Sequence, residues 1–164
     1  MSNEVLPFTL RSATSKDFQN ISNIREQVQQ LHIEGRPDLY ASTPLDQNTY
    51  GTWLKDTATE VFVIECNNKE ILAYMILEIK EPFNNLILID RKVLFIRNIG
   101  VGEIYRGAGI GKILIQKAFE YAKEIQATSV ELNVLEFNEK AIQFYEKLGF
   151  NTKSRQMECV LPDA

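Results

Sequence analysis

Apolar positions recur along the chain at two periods, and the switches between them lay out its elements. "FTLRSA" alternates and predicts a first strand, followed by Thr14-Ser-Lys-Asp17, a helix start signal. Residues 17 to 33 carry Phe18, Ile21, Ile24, Val28 and Leu31 at helical spacing. Gly35, Pro37 and Pro44 then break the pattern before a second helix over 46 to 57. "EVFVIEC" and "EILAYMILEIK" predict two strands joined by a tight turn at Asn67-Asn68. A loop over 81 to 91, containing Pro82, leads to "KVLFIRNIGV", a β-branched and aromatic fourth strand. From Ile110 the residues Ile113, Leu114, Ala118, Tyr121, Ala122 and Ile125 predict an amphipathic helix of about four turns. "SVELNVLE" predicts a fifth strand. Asn138 opens a last helix with apolar Ala141, Phe144, Tyr145 and Leu148, and Gly149 closes it. "FNTKSRQMECVL" predicts one or two closing strands. The order βααβββαβαββ places antiparallel strands first and a βαβ crossover late, which is a mixed α/β (α+β) class.

Composition narrows the picture. With 164 residues, 45% hydrophobic and 24% charged, the chain fits one globular domain over 1–164. A net charge of -4 argues against nucleic acid as a partner. No apolar run approaches the roughly 20 residues of a membrane span. The N-terminus lacks the basic-then-apolar order of a signal peptide, so the expected location is cytoplasmic, with no membrane partner. Cys66 and Cys159 stand in separate apolar stretches and read as buried thiols. His32 is the sole histidine, which argues against a zinc site or a histidine-based triad.

The densest chemical signal is "YRGAGIGK", where Gly107, Gly109 and Gly111 precede the third helix. It is not a phosphate-binding P-loop: Arg106 stands where the first glycine belongs, and Ile113 where Ser or Thr belongs. Nor is it the dinucleotide fingerprint, whose last glycine is replaced by Lys112 or Leu114. A glycine-rich turn into a helix still exposes first-turn N–H groups at the positive end of the helix dipole, which suits a phosphate. Arg106 and Lys112 add positive charge there. A plain strand-to-helix turn that binds nothing is the competing reading.

Together "V-G-E-I-Y-R-G-A-G-I-G" and "N-E-K-A-I-Q-F-Y-E-K-L-G-F" resemble the two signature segments of the GNAT superfamily of N-acetyltransferases. Val101, Arg106, Gly109 and Gly111 fill the fixed places of the first. Asn138, Ala141, Tyr145, Gly149 and Phe150 match the second, and the likeness is sharp over about residues 93 to 150. The resemblance implies a central, mostly antiparallel twisted sheet of about seven strands, with a parallel, splayed fourth and fifth pair and about four helices. It implies acetyl-coenzyme A as co-substrate and no metal. The pyrophosphate would rest on the amides of Gly107, Ala108, Gly109, Ile110, Gly111 and Lys112 beside Arg106. The pantetheine arm would follow the backbone of Ile99, Gly100 and Val101, where an unpaired strand edge offers main-chain groups. Gly100 suits either a bulge there or tight packing. Asn138 would reach the same arm besides capping its helix.

By the same resemblance Tyr145 is the general acid: a phenol near pKa 10 protonating a thiolate near 8.5 is a mildly uphill transfer. A hydrogen-bonded core aromatic would occupy the same helix face. The acceptor would be a small-molecule amine or a peptide or protein amine, attacked directly in a ternary complex. Homodimers are common in the family and a homodimer is among the expected assemblies. The sequence departs from relatives that carry an acidic pair on the fourth strand, because Arg97 and Asn98 stand there. Arginine accepts no proton at neutral pH, so a polyamine acceptor is disfavoured and the base is water-relayed or another carboxylate. Glu131 and Glu136 are candidates, while Glu103 beside the turn reads as solvated. Arg97 reads either as a surface salt bridge or as a site for an acceptor carboxylate. "HIEGRPDLY" would border the acceptor. A catalytically idle acyl-CoA-binding or sensor module on the same fold is the alternative function, and a phosphate-binding protein of another fold a more distant one.

Overall fold

The computed structural model describes residues 7–81 and 86–163. Pro82 and the first six residues, which entered the loop and signal-peptide expectations, lie outside the described residues. The chain divides into two compact units, Met1–Asn133 and Val134–Ala164. The first contains β1 (Phe8–Ser12), α1 (Phe18–Gly35), α2 (Gln47–Lys55), β2 (Thr59–Cys66), β3 (Ile71–Lys80), β4 (Val93–Val101), α3 (Ile110–Glu124) and β5 (Ser129–Leu132). The second contains α4 (Glu139–Lys147). Helix entries follow the expected chemistry. Thr14 and Asp17 form a capping box ahead of α1, and the Asp46 carboxylate accepts from Thr49 N at 2.9 Å ahead of α2. The Arg11 guanidinium joins the Asp17 carboxylate (2.8 Å) to that of Glu65, tying β1, β2 and the α1 entry together.

The sheet runs β1-β2-β3-β4-β5, antiparallel through β4 and parallel between β4 and β5. β2 and β3 are buried almost without interruption, as expected of strands covered on both faces. On one face Val61, Val63, Tyr74 and Ile76 pack with Ile21 and Ile24 of α1 and Tyr50 and Trp53 of α2. The alternate residue Phe62 meets Tyr121 of α3 edge-on at 5.9 Å, which assigns α3 to the other face. Among the described residues no helix is long and apolar enough to cross a membrane.

The predicted fold class holds, with the parallel pair and four helices in place, but the described sheet has five strands rather than about seven. Residues 151–163 carry no strand and are exposed: a strand needs a ladder partner, and alternating apolar residues such as Met157 and Cys159 do not supply one. β5 ends at Leu132, four residues short of the predicted run, because its pairing with β4 stops there. The thiol expectation also fails. Cys66 is only half-buried, at the hairpin, where its Sγ donates to Asn68 Oδ1 at 2.7 Å, and Cys159 is exposed in the strandless tail. In the hairpin itself the left-handed residue is Lys69, one place after the predicted pair.

The register of β3 against β4 skips between Leu77↔Ile96 and Ile76↔Asn98, so Arg97 opposes no residue and forms a bulge. Gly100 is not the bulge. It is the close-approach glycine: a Cβ there would lie 2.7 Å from Tyr74 Cε1 and 3.1 Å from both Ile24 and Val28. Gly100→Ala is therefore expected to lower unfolding free energy by roughly 1–3 kcal/mol, through overpacking against the buried Tyr74. Urea denaturation measures it, and an unchanged midpoint would mean that α1 does not press on β4 here.

Candidate functional site

Backbone parity places the free edge of β4. Gly102 N donates to Leu72 O at 2.8 Å, so Gly102 faces β3. Alternate residues of an antiparallel strand share a side, so Gly100 faces β3 as well. Ile99 and Val101 therefore turn their N–H and C=O groups away from β3, toward the β5 side. Yet β5 pairs only with Val93 to Ile96. From Arg97 onward β4 has one strand neighbour among the described residues, and the splay predicted from the resemblance is this loss of a partner. The Val101 carbonyl is met by Arg106 Nε at 3.1 Å, which leaves the Val101 N–H and both main-chain groups of Ile99 open.

The chain then makes a 3-10 turn (Glu103–Tyr105) and the glycine turn. Gly107 and Gly109 take φ of 81° and 83°, a left-handed backbone that other residues adopt at a cost, and a Cβ at either would meet no atom within 4 Å. The positive φ alone therefore favours glycine here, since the space would admit a side chain. Gly109 is the N-cap of α3 and offers no side-chain cap; the first helical bond is Ile113 N to Gly109 O at 3.3 Å. No amide from Gly107 to Lys112 finds a hydrogen-bond partner among the described residues. Gly107, Ala108, Gly109 and Lys112 are exposed, so the turn is not filled by its own side chains. The entries of α2 and α4 are capped by Asp46 and Asn138, whereas that of α3 is not, and an uncapped entry with two flanking cations suits an anion.

Asn138 and Tyr145 lie in the second unit, seven residues apart and thus on one face of α4. Asn138 Oδ1 accepts from Ala141 N at 3.2 Å, so its cap is real and its amide NH2 stays free to donate. The Tyr145 ring stands edge-on to Phe144 at 5.2 Å and to Phe150 at 5.6 Å. Burial pushes its phenol up to about 12. The hydroxyl has no hydrogen-bond partner among the described residues, and the packed ring fits both the core-aromatic and the proton-donor readings.

The other candidates separate. Glu131 is ion-paired with Arg91 (2.9 Å) and Glu136 with Arg155 (3.1 Å), so both candidate bases are neutralised by arginine. Glu103 is exposed, its amide held by Gln27 Oε1 at 2.8 Å. Asn98 Oδ1 accepts from the buried Tyr74 hydroxyl at 2.7 Å, a structural duty. In "HIEGRPDLY" Arg36 grips Asp38 through two bonds (2.9 and 2.7 Å), and His32 stacks on Tyr40 at 5.3 Å. Gln29 Nε2 and Arg25 pin the following segment through Ala41 O (2.7 Å) and Thr43 O (2.9 Å). The sequence reading missed Trp53, over whose ring Arg97 lies at 5.1 Å. Its one signal was a lone tryptophan within the second predicted helix.

Residues 25–150 match the model of the acetyltransferase (GNAT) family. An uncharacterized N-acetyltransferase of Methanocaldococcus jannaschii is 32% identical over 152 residues, covering 92% of this chain and 64% of the relative. A glucosamine 6-phosphate N-acetyltransferase of Trypanosoma brucei brucei is 42% identical over 71 residues, 43% of this chain and 46% of the relative. The chain thus spans between about half and two thirds of these relatives' own lengths. The crystal structure of a mutant of the BH1408 protein from Bacillus halodurans superposes with a TM-score of 0.91 at 28% identity, over 94% of this chain and 99% of that one.

Gly109→Ala meets no steric obstacle, so its cost is backbone strain alone, roughly 1–2 kcal/mol. An unfolding free energy lowered by that amount in urea denaturation is expected; no change would show that the left-handed turn is not maintained in solution.

Proposed function

The chain belongs to the acetyltransferase (GNAT) family, and on that premise we propose that it moves an acetyl group from acetyl-coenzyme A to a primary amine. The observation that carries the proposal is the continuity of unpartnered backbone, from the β4 edge at Ile99 and Val101 to the open amides of Gly107 through Lys112. Those residues fit the co-substrate. The glycine-turn amides, with the charges of Arg106 and Lys112, suit a diphosphate. The edge groups of Ile99 and Val101 suit an arm that carries amides. When bound, acetyl-coenzyme A supplies a thioester carbonyl at which a C–N bond forms as the C–S bond breaks. An edge N–H of β4 can polarise that carbonyl oxygen. The matched segment runs through both compact units, which supports reading them as one acetyltransferase domain.

Tyr145 is the proton donor in this reading. Its hydroxyl is unengaged, and a phenol pushed up to about 12 stays protonated across the working range. Full proton transfer to a thiolate near 8.5 is then steeper than the sequence suggests, by about 2 further pKa units. Tyr145 is better suited to hydrogen-bond the developing thiolate charge while the amine's own proton is being lost. Glu131 and Glu136 are each engaged with an arginine, so neither stands as an unpaired base among the described residues. The amine enters neutral, or gives its proton to water. This lack of a base also favours a second reading, a sensor that binds acyl-coenzyme A without turning it over. Binding without thiol release across a broad amine panel would select it.

Gly111→Glu separates folding from binding. A carboxylate in the first turn suits the helix dipole but repels a diphosphate, and a thermal melt of the variant checks that it folds. Coenzyme A affinity by calorimetry should fall at least about tenfold; an unchanged affinity contradicts the cradle. Tyr145→Phe should lower kcat by about 100-fold and leave the coenzyme A dissociation constant nearly unchanged. In the unsubstituted enzyme kcat/KM should rise with pH as the amine deprotonates, toward its pKa around 10. No loss from tyrosine ionisation should follow at lower pH, because the phenol titrates near 12. Equal turnover of the variant would remove Tyr145 from the chemistry, whereas a Tyr145-dependent fall in rate near pH 9 would contradict the raised phenol.

A further inference from the structure

We infer that Arg97 sets acceptor specificity, by binding an anionic group, carboxylate or phosphate, carried by the amine that is acetylated. The inference rests on the acetyl-transfer reading above and adds the chemical class of acceptor. Arg97 is the bulge residue of β4: Ile96 pairs with Leu77 and Asn98 with Ile76, and nothing on β3 opposes it. A bulge re-aims its side chain. Here the guanidinium lies 5.1 Å from the Trp53 ring centroid, on the α1/α2 face of the sheet. Trp53 is 9% exposed and set edge-on to Tyr50 at 6.2 Å, so the platform is part of the core and does not follow the arginine. A guanidinium held over an aromatic ring can keep its N–H donors for a planar anion.

Those donors are unspent. Every other arginine of the chain gives an N–H to a carboxylate or a carbonyl: Arg11, Arg36, Arg91 and Arg155 to carboxylates, Arg25 and Arg106 to main-chain oxygens. Arg97 gives none among the described residues and is exposed. The surface salt bridge, one of its two expected roles, is not formed among the described residues. Asp56 senses its charge, but that carboxylate is held first by Thr59 Oγ1 (2.6 Å) and Ala58 N (3.0 Å). Arg97 also stands two residues before Ile99, where the open edge of β4 begins. At a strand rise of about 3.3 Å per residue the two Cα atoms are roughly 7 Å apart. A fixed cation at that remove from the reacting edge can hold the anion of a small acceptor while its amine reaches the thioester. The same cation, with a structural Asn98 beside it, repels polycationic amines.

The test compares matched amines: glycine with glycinamide, and glucosamine 6-phosphate with glucosamine, the two pairs separating carboxylate from phosphate. Acetyl transfer is followed by thiol release from acetyl-coenzyme A, and acceptor binding by the thermal shift of the coenzyme A complex. The charged member of at least one pair should have a kcat/KM higher by roughly 10- to 100-fold. Arg97→Gln should collapse that ratio toward one, and Arg97→Lys should restore part of it, since charge returns without the fork. Retained coenzyme A affinity shows that the variants fold. Equal use of both members in both pairs, or a ratio that survives Arg97→Gln, overturns the inference and leaves acetyl transfer standing. If no amine releases thiol, the transfer reading falls. The Arg97 assignment then stands only if the charged member shifts the melting point of the unsubstituted protein and not of Arg97→Gln, and falls otherwise.

Discussion

Main-chain N–H and C=O groups that have lost water must be given partners, and the structure turns on the place where β4 stops having them on both sides. Up to Ile96 the strand lies between β3 and β5. At Arg97 it bulges, and from there its β5 side is without a strand among the described residues. An open strand edge is a hazard in a soluble protein, because it invites pairing with any extended chain. The usual remedies are charge, proline or a covering element. Here the open run is apolar and short, Ile99 to Val101, and its one covered group is the Val101 carbonyl, held by Arg106. The run continues into a helix entry that is equally unpartnered. These two consecutive unpartnered stretches, joined by glycines held at positive φ, are the track that the proposed function assigns to acetyl-coenzyme A.

The rest of the fold can be read as support for that track. α1 presses Ile24 and Val28 onto Gly100 and, through Gln27, holds the amide of Glu103, so it fixes both ends of the strand-to-turn segment. Tyr74, buried beneath it, reaches up to Asn98. The Arg11–Asp17–Glu65 cluster anchors the start of α1 to β1 and β2. Burial opposes ionisation of Asp17, and the Arg11 hydrogen bonds outweigh it, so its pKa is depressed. The stabilisation from a depressed carboxylate is present above the unfolded pKa near 4 and is lost as pH falls through the folded value. Acid should therefore loosen the α1 entry.

Much of the fold was legible because helical and strand periods differ and the helix caps are local. The Asp17, Asp46 and Asn138 starts and the Gly149 stop are set by side chains within a few residues of the boundary. What periodicity could not supply was pairing. Whether 151–163 forms a strand, and where β5 ends, depends on partners far away in sequence. The candidate site divides along the same line. The glycine turn could be placed from spacing, since φ and space there are properties of the residue itself. The state of Glu131, Glu136, Asn98 and Arg97 could not, because each is decided by one distant side chain: Arg91, Arg155, Tyr74 and Trp53. The Trp53 platform gave almost no sequence signal, since a lone tryptophan in an amphipathic helix reads as core, and it is core as well.

Backbone amide chemical shifts on titration with coenzyme A address the central claim most directly, since they report main-chain contacts residue by residue. The amides of Gly107 through Lys112, together with those of Ile99 and Val101, should shift together and saturate at one dissociation constant. Saturable binding that leaves these amides unmoved, or no binding to a folded protein, would contradict it.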